Sequence, residues 1–408
     1  MRAPFFARHN KTRGQKEKIE DQVPHNAYYE TVSVRFGLAQ VILYLSLLAY
    51  VVLAFFTNTE LITYQNFYHF FRDLNAGAEQ VDIFGADSLS YPTAKEQSFA
   101  LYRKGLAVAG NNNVTIFSAT GRQTLGDSVD YRKPVAVGAG RYLLVYELGG
   151  TQYSLYDSNT QMYSAKSEFP IYGGTVSDSG SYALITGSTS YTTVVTLYNN
   201  RFSMINRFSK NGYVMGVALD AKGETVALLT STPKDGAFQT DLLLCRVGQS
   251  SAIAESFVGN AVGISCAFTA SGSVAVLCSD GVSFVSGRGD VSRVCDFEGK
   301  ILTSSDLGKD GVAVCLKKNV VSEKNIVIVF DKTGKIVYND VVSYPVDAIC
   351  RTGNAVHWTT VDGVCRLDLK RGEIGYTSCK VDGRVLLSVD EDEVLLCSPQ
   401  KAEYVAVK

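Results

Sequence analysis

Residues 269–286 read TASGSVAVLCSDGVSFVS: a polar turn, an apolar run, a second turn and a second apolar run. Similar wording recurs as VSDSGSYALITG at 176–187, ALDAKGETVALLT at 218–230 and DLGKDGVAVCLKK at 306–318. Apolar runs of four to eight residues, rich in Val, Leu, Ile, Tyr and Phe and bounded by Gly, Asp, Asn or Ser, are the pattern of short strands. The turns Asp178–Gly180, Asp220–Gly223, Ala270–Gly272 and Lys332–Gly334 place glycine where a tight hairpin needs positive φ. Beyond residue 80 helical periodicity is nearly absent.

Grouping the runs gives units whose first strands begin near Phe99, Pro134, Gly173, Tyr213, Val262, Ile301, Val346 and Arg384. That spacing of roughly 35 to 49 residues fits four-stranded propeller blades rather than a solenoid. The last unit offers only three strands, so QVDIF at 80–84 is expected to supply the missing outer one, closing the ring and covering a sheet edge. The expected fold is all-β, an eight-bladed β-propeller, with seven blades as the alternative.

Residues 1–35 hold seven Lys or Arg against four acidic residues, although the whole chain carries a net charge of −1. That balance excludes a general basic field for nucleic acid. From Phe36 to Phe56 the chain reads FGLAQVILYLSLLAYVVLAFF, without a charge. As a helix these residues cover roughly 30 Å, the thickness of a bilayer core. The expectation is a transmembrane helix at 36–56 presenting Phe36, Leu38, Val41, Leu43, Leu45, Leu48, Val51, Leu53 and Phe56 to lipid. Basic residues before the span place the N-terminus in the cytoplasm and the remainder outside, at the cell membrane. Residues 57–79 read as a short aromatic amphipathic helix or linker, and 80–408 as the propeller.

The phrase of a hydrophobic pair, Asp or Ser, x-Gly and an apolar run resembles the blade pattern of YVTN- and WD40-like propellers, and the count of eight is similar to quinoprotein-like ones. The layout over residues 30–408 resembles an uncharacterised family of membrane-anchored propellers of Gram-positive gut bacteria. That resemblance implies architecture and location, not an activity. With Trp358 as the only tryptophan, the docking pattern of quinone-dependent relatives is missing, and no cofactor is expected.

Candidate chemistry is sparse. Of four histidines only His357 lies in the propeller, so neither a His-based metal cluster nor a Ser-His-Asp triad is expected. Asp390 to Glu393 read as a solvated hairpin turn. The nine cysteines, odd in number and without C-x-x-C, read as small buried hydrophobes. They suit a cytoplasmic propeller as well as an exported one in an anaerobic organism.

Ligand sites in propellers gather on the face of the B–C and D–A connections, which here carry Arg132, Lys133, Lys234, Lys317, Lys318 and Lys324. These residues are expected to form a mildly basic rim for a protein partner or an anionic envelope polymer. The expected function is a membrane-tethered scaffold or sensor at the cell envelope; the alternative is a lyase or hydrolase acting on cell-wall glycans through residues at the channel.

Overall fold

The computed structural model describes residues 27–57, 88–157, 160–249, 251–381 and 385–407. The chain divides into two compact units, Met1–Glu79 and Gln80–Lys408. In the first, one helix runs over Ala27–Thr57, beginning inside the basic tail and containing the whole expected span. Its described side chains, including Phe36, Leu38, Val41, Leu43, Leu45 and Leu48, are exposed on every face; Val51, Leu53 and Phe56 lie in its last two turns. Among the described residues no helix is long and apolar enough to cross a membrane. The aromatic segment expected at 57–79 lies outside the described residues apart from Thr57, which ends this helix.

The second unit consists of eight four-stranded antiparallel sheets, which removes the seven-blade alternative. Strands are lettered A to D from the channel outward. The A strands of blades one to eight are Gln97–Tyr102, Pro134–Ala139, Ile171–Val176, Tyr213–Leu219, Gly263–Phe268, Ile301–Gly308, Ile349–Thr352 and Val385–Ser388. Each touches the next and the eighth touches the first, so the ring is closed. Because the strands of each sheet alternate in direction, A–B and C–D turns share one face, while B–C and D–A connections share the other.

Closure uses the expected device with a different strand. The outer strand of blade eight is Ser88–Ser90, paired with Lys401–Ala406, whereas QVDIF at 80–84 lies outside the described residues. Only Leu89 of the three points inward, at 2% exposure, so the strand leaves no hydrophobic alternation to read.

Each of the eight seams between neighbouring blades holds its own apolar cluster. Leu143, Val145 and Tyr156 of blade two meet Ala107 and Ile116 of blade one, and Leu395 and Ala402 of blade eight meet Leu106 and Phe117 of blade one. A fully buried aliphatic side chain contributes about 1.5–3 kcal/mol, so every seam must be filled for the ring to hold. Hydroxyls bridge the seams near the channel: Ser98 Oγ accepts from Ala136 N (3.0 Å), Thr193 Oγ1 from Val214 N (3.1 Å), Ser231 Oγ from Gly263 N (2.9 Å) and Ser304 Oγ from Ile349 N (3.1 Å). They satisfy inner-strand amides that no ladder partner reaches.

The repeated turn phrase is explained by local capping. Asp220 Oδ1 accepts from the amides of Glu224 (2.7 Å) and Thr225 (2.9 Å) while Gly223 takes φ +70°. At the corresponding turn of blade five, where Gly272 takes φ +82°, Thr269 Oγ1 instead donates, to Lys332 O (2.9 Å), tying blade five to blade six.

Candidate functional site

The two ends of the channel differ. At the D–A end, the A strands of blades three, four, five and six each carry a register shift against their B strands, between Ile171 and Gly173, Val214 and Gly216, Gly263 and Ser265, and Leu302 and Ser304. The inserted residues are Tyr172, Met215, Ile264 and Thr303. The A–B pairings of the other four blades show no shift. A bulge leaves its extra residue unpaired and re-aims the side chain, which is why bulges recur beside functional sites.

Here they turn Tyr172, Met215 and Ile264 outward, 41–51% exposed, with Tyr213 and Ile301 beside them. Tyr172 is braced rather than loose: its ring lies over Gly187, the Oη 3.2 Å from where a Cβ would stand there. The result is an apolar arc over four consecutive blades. Beyond it, in the B–C connection of blade six, Val320 and Val321 are 83% and 88% exposed.

The expected rim residues share this face but belong to different blades. Arg132 and Lys133 lie on the connection into blade two, Lys234 in blade four, and Lys317, Lys318 and Lys324 in blade six. Only the last three come together, and they flank the two exposed valines. Lys234 Nζ donates to Gln239 Oε1 (3.1 Å). Its segment, 230–241, is not a loop as expected: strands Thr225–Lys234 and Ala237–Arg246 continue through it to a two-residue turn at Asp235–Gly236.

At the A–B end a cavity of about 730 Å³ is lined by residues of blades six, seven, eight, one and two, including Arg103, Lys104, Asp306, Lys309, Asp310 and Arg351. Asp306 Oδ2 accepts from Arg351 N (2.6 Å), and Asp310 Oδ2 accepts from Gly353 N (2.8 Å). Both carboxylates therefore anchor the backbone of blade seven. Burial raises the Asp306 pKa, against the pull of the Arg351 amide and charge. Burial likewise lowers that of Arg351, against Asp310, Asp331 and Asp306.

The Arg351 guanidinium donates from Nη1 to Phe330 O and occupies space left by Gly311, where a Cβ would come within 2.5 Å of Nη1. In blade one the turn between Tyr102 and Gly105 is Arg103–Lys104, both at positive φ (50° and 63°). Blades two and seven put Gly140 and Gly353 at the first position of the same turn. A side chain in that region costs on the order of 1 kcal/mol or more.

His357 is fully buried and bonds through Nδ1 to Ser388 Oγ at 3.2 Å. Burial, helped by the Arg366 charge, pushes its pKa down to about 4, so the ring is neutral at pH 7 and packs blade seven against blade eight. Among the described residues no group of His, Cys, Asp or Glu side chains could hold a metal ion. The nine cysteines are unpaired, six of them buried. Neither the bulges nor the cationic turn was anticipated. An inserted residue leaves composition unchanged, while the signal for the turn was an A–B hairpin lacking glycine.

This geometry can be set against known proteins. A characteristic sequence profile spans residues 86–403, from just before the closing strand to within the last one. The chain belongs to DUF5711, a family of unknown function. Among curated proteins no sequence match is found. In fold it is similar to BamB from Moraxella catarrhalis (TM-score 0.53, 13% identity, 78% of this chain and 96% of that one). It is also similar to Sqt1 from Chaetomium thermophilum, whose structure was determined bound to the N-terminus of ribosomal protein L10 (TM-score 0.51, 12% identity, 78% and 99%). A eukaryotic initiation factor is similar too (TM-score 0.50, 12% identity, 79% and 85%). At such identities the likeness carries the propeller fold and nothing further.

Proposed function

We propose that this DUF5711 protein is a membrane-tethered scaffold or sensor whose propeller stands outside the cytoplasm and binds a protein partner on its D–A face. The observation that carries the reading is the set of four consecutive bulges at the D–A end, three of which leave Tyr172, Met215 and Ile264 exposed on that face. Leaving such side chains in water forgoes about 25 cal/mol for each Å² that burial would remove. A fold that needed only its seams would turn them inward. Aromatic residues and methionine on a rigid surface are the composition of interface centres. Lys317, Lys318 and Lys324 beside Val320 and Val321 form a basic border that favours an acidic rim on the partner.

The tether is read from the sequence: although no described helix meets the length and apolarity of a membrane span, the 21 residues Phe36–Phe56 carry no charge and as a helix would extend roughly 30 Å. The excess of basic residues before the helix sets the cytoplasmic side.

Two measurements test the parts separately. Alkaline carbonate washing of membranes retains the full-length chain and releases a chain lacking 36–56 if the tether holds. Affinity capture from detergent-solubilised membranes recovers a stoichiometric protein that is lost with Tyr213→Ser and Met215→Ser and weakened by Lys317→Glu and Lys318→Glu. Unchanged recovery with all four substitutions would discard the D–A face, and an anionic polymer recovered in place of protein would reassign the partner.

A further inference from the structure

We propose that the outer edge of blade six is a self-association surface, on which strand Ile336–Val342 pairs antiparallel with the same strand of a second copy about a two-fold axis at Asn339. The surface lies on the rim of the ring and does not depend on the partner proposed for the D–A face.

The D strand of every blade pairs on one side only, and an unpaired edge is a template for another strand unless charge, brevity or irregularity blunts it. Seven of the eight edges are blunted. The D strands of blades two, three and five carry Lys166, Arg207 with Lys210, and Arg293, and those of blades one and seven are weakened by Gly126 and Gly375. Blade four has Glu255 and two register shifts, and the strand of blade eight is three residues long.

Blade six differs. Its D strand reads IVYNDVV, seven residues without lysine, arginine or glycine, and Ile336, Val337 and Val341 are exposed. The one register shift falls at its start, beside Val337, and leaves Tyr338–Val342 in regular pairing with the C strand. Its single charge, Asp340, is turned onto its own backbone, where Oδ1 accepts from the amide of Val341 (2.7 Å). A neighbouring side chain there takes a donor that a ladder partner could take.

The strand is complementary to itself, which selects a second copy as the occupant. With the axis at Asn339, Asn339 faces its equivalent, Val341 faces Val337, and Asp340 faces Tyr338. Two amides can then bond reciprocally, β-branched side chains meet across the strands, and no charge opposes its like. Tyr338 Oη has no hydrogen-bond partner among the described residues, and this register brings a carboxylate acceptor opposite that residue. Moving the axis one residue forward sets Asp340 against Asp340; moving it one residue back sets Asn339 against Val337 and Asp340 against Ile336. The side chains therefore specify one register as well as one partner.

The test uses the full-length protein in its native membranes. Opposed residues of antiparallel strands stand about 4.5–5.5 Å apart, within reach of a disulfide. Under mild oxidation Asn339→Cys is expected to give a covalent dimer above the wild-type background, whereas Ile374→Cys, exposed on the D strand of blade seven, gives none. Adding Val341→Lys, which charges the edge at an exposed position, lowers the yield of the Asn339→Cys dimer at least tenfold with the melting temperature unchanged. Chains bearing Val337→Cys and Val341→Cys crosslink when produced together and not when produced alone, which checks the register without a lysine. Absence of the Asn339→Cys dimer overturns the pairing, as does a dimer yield that Val341→Lys leaves unchanged. Crosslinking of Val341→Cys to itself overturns the register, and an adduct with a different protein overturns the second copy as the occupant.

Discussion

The hydroxyl of Tyr91 donates a 2.6 Å hydrogen bond to the carbonyl of Ser398, 307 residues further along the chain. This contact lies immediately after the strand Ser88–Ser90 and closes the blade in which the two ends of the propeller sequence meet. Tyr91 also packs its ring against Phe99 and Phe117 of blade one, at centroid distances of 5.7 and 6.3 Å. Tyr91→Phe removes one hydrogen bond, expected to cost about 1 kcal/mol, including the stranded carbonyl. Tyr91→Ala opens a cavity at the closure and is expected to cost about 3–5 kcal/mol. Urea unfolding followed by fluorescence of Trp358, fully buried in blade seven, checks both; equal effects of the two substitutions would show that the ring packing contributes nothing.

His357 links stability to pH. Its folded pKa of about 4 lies below the ordinary value of 6.5 because burial disfavours the imidazolium, so between these values the unfolded chain binds the extra proton. The contribution of the neutral ring is complete above pH 6.5 and is lost as pH falls toward 4, a difference on the order of 3 kcal/mol. Asp306 and Glu393, with raised pKa values, act with the opposite sign. The quantity to measure is therefore the slope of unfolding free energy against pH for the wild type and for His357→Gln. The variant is expected to be shallower between pH 4 and 6.5, and parallel slopes would refute the assignment.

Gly311 and Gly308 flank the same turn and differ in what surrounds them. A Cβ at Gly311, at φ +127°, would stand 2.2 Å from Phe330 O and 2.5 Å from Arg351 Nη1, whereas at Gly308 nothing lies within 4 Å. Gly311→Ala is expected to destabilise the protein by at least about 2 kcal/mol and to displace the Arg351 guanidinium; Gly308→Ala is expected to change stability by no more than about 0.5 kcal/mol. Similar melting temperatures for the two variants would contradict the close approach.

Burial pushes the thiols up, Cys278 and Cys315 to about 11, Cys266 and Cys397 to about 12. The thiolate is the reactive form, so native protein at pH 8 is expected to label slowly at these four positions and all nine cysteines rapidly in denaturant, counted by mass spectrometry. Rapid native labelling of any of the four would show its seam to be open.

Eight blades were legible because each seam demands apolar strands and most A–B turns advertise themselves through Gly, Asp or Ser, the Arg103–Lys104 turn of blade one excepted. Pro134, Tyr213 and Ile301 were placed at the first residue of their A strands, and the other blade starts fell within three residues. The closing strand was not legible: Ser-Leu-Ser buries a single side chain, while the more apolar QVDIF upstream drew the assignment. The hairpin through Pro233 and Lys234 read as a loop because proline and a run of polar residues suppress strand signal even where pairing continues to Lys234 and Ala237. Both candidate sites escaped for a common reason. They are assembled from one to a few residues of each of four or five blades, so neither forms a motif along the chain. The expected rim was legible as charge, but its lysines are divided among blades two, four and six.

The most direct test of the D–A face is photocrosslinking in living cells, with a benzoyl-phenylalanine side chain placed at position 213, at position 264, or at the outer-strand control position 373. The account predicts one covalent adduct with the same heterologous protein from positions 213 and 264 and none from 373. Adducts of equal yield from all three positions, or adducts from 373 alone, would contradict it.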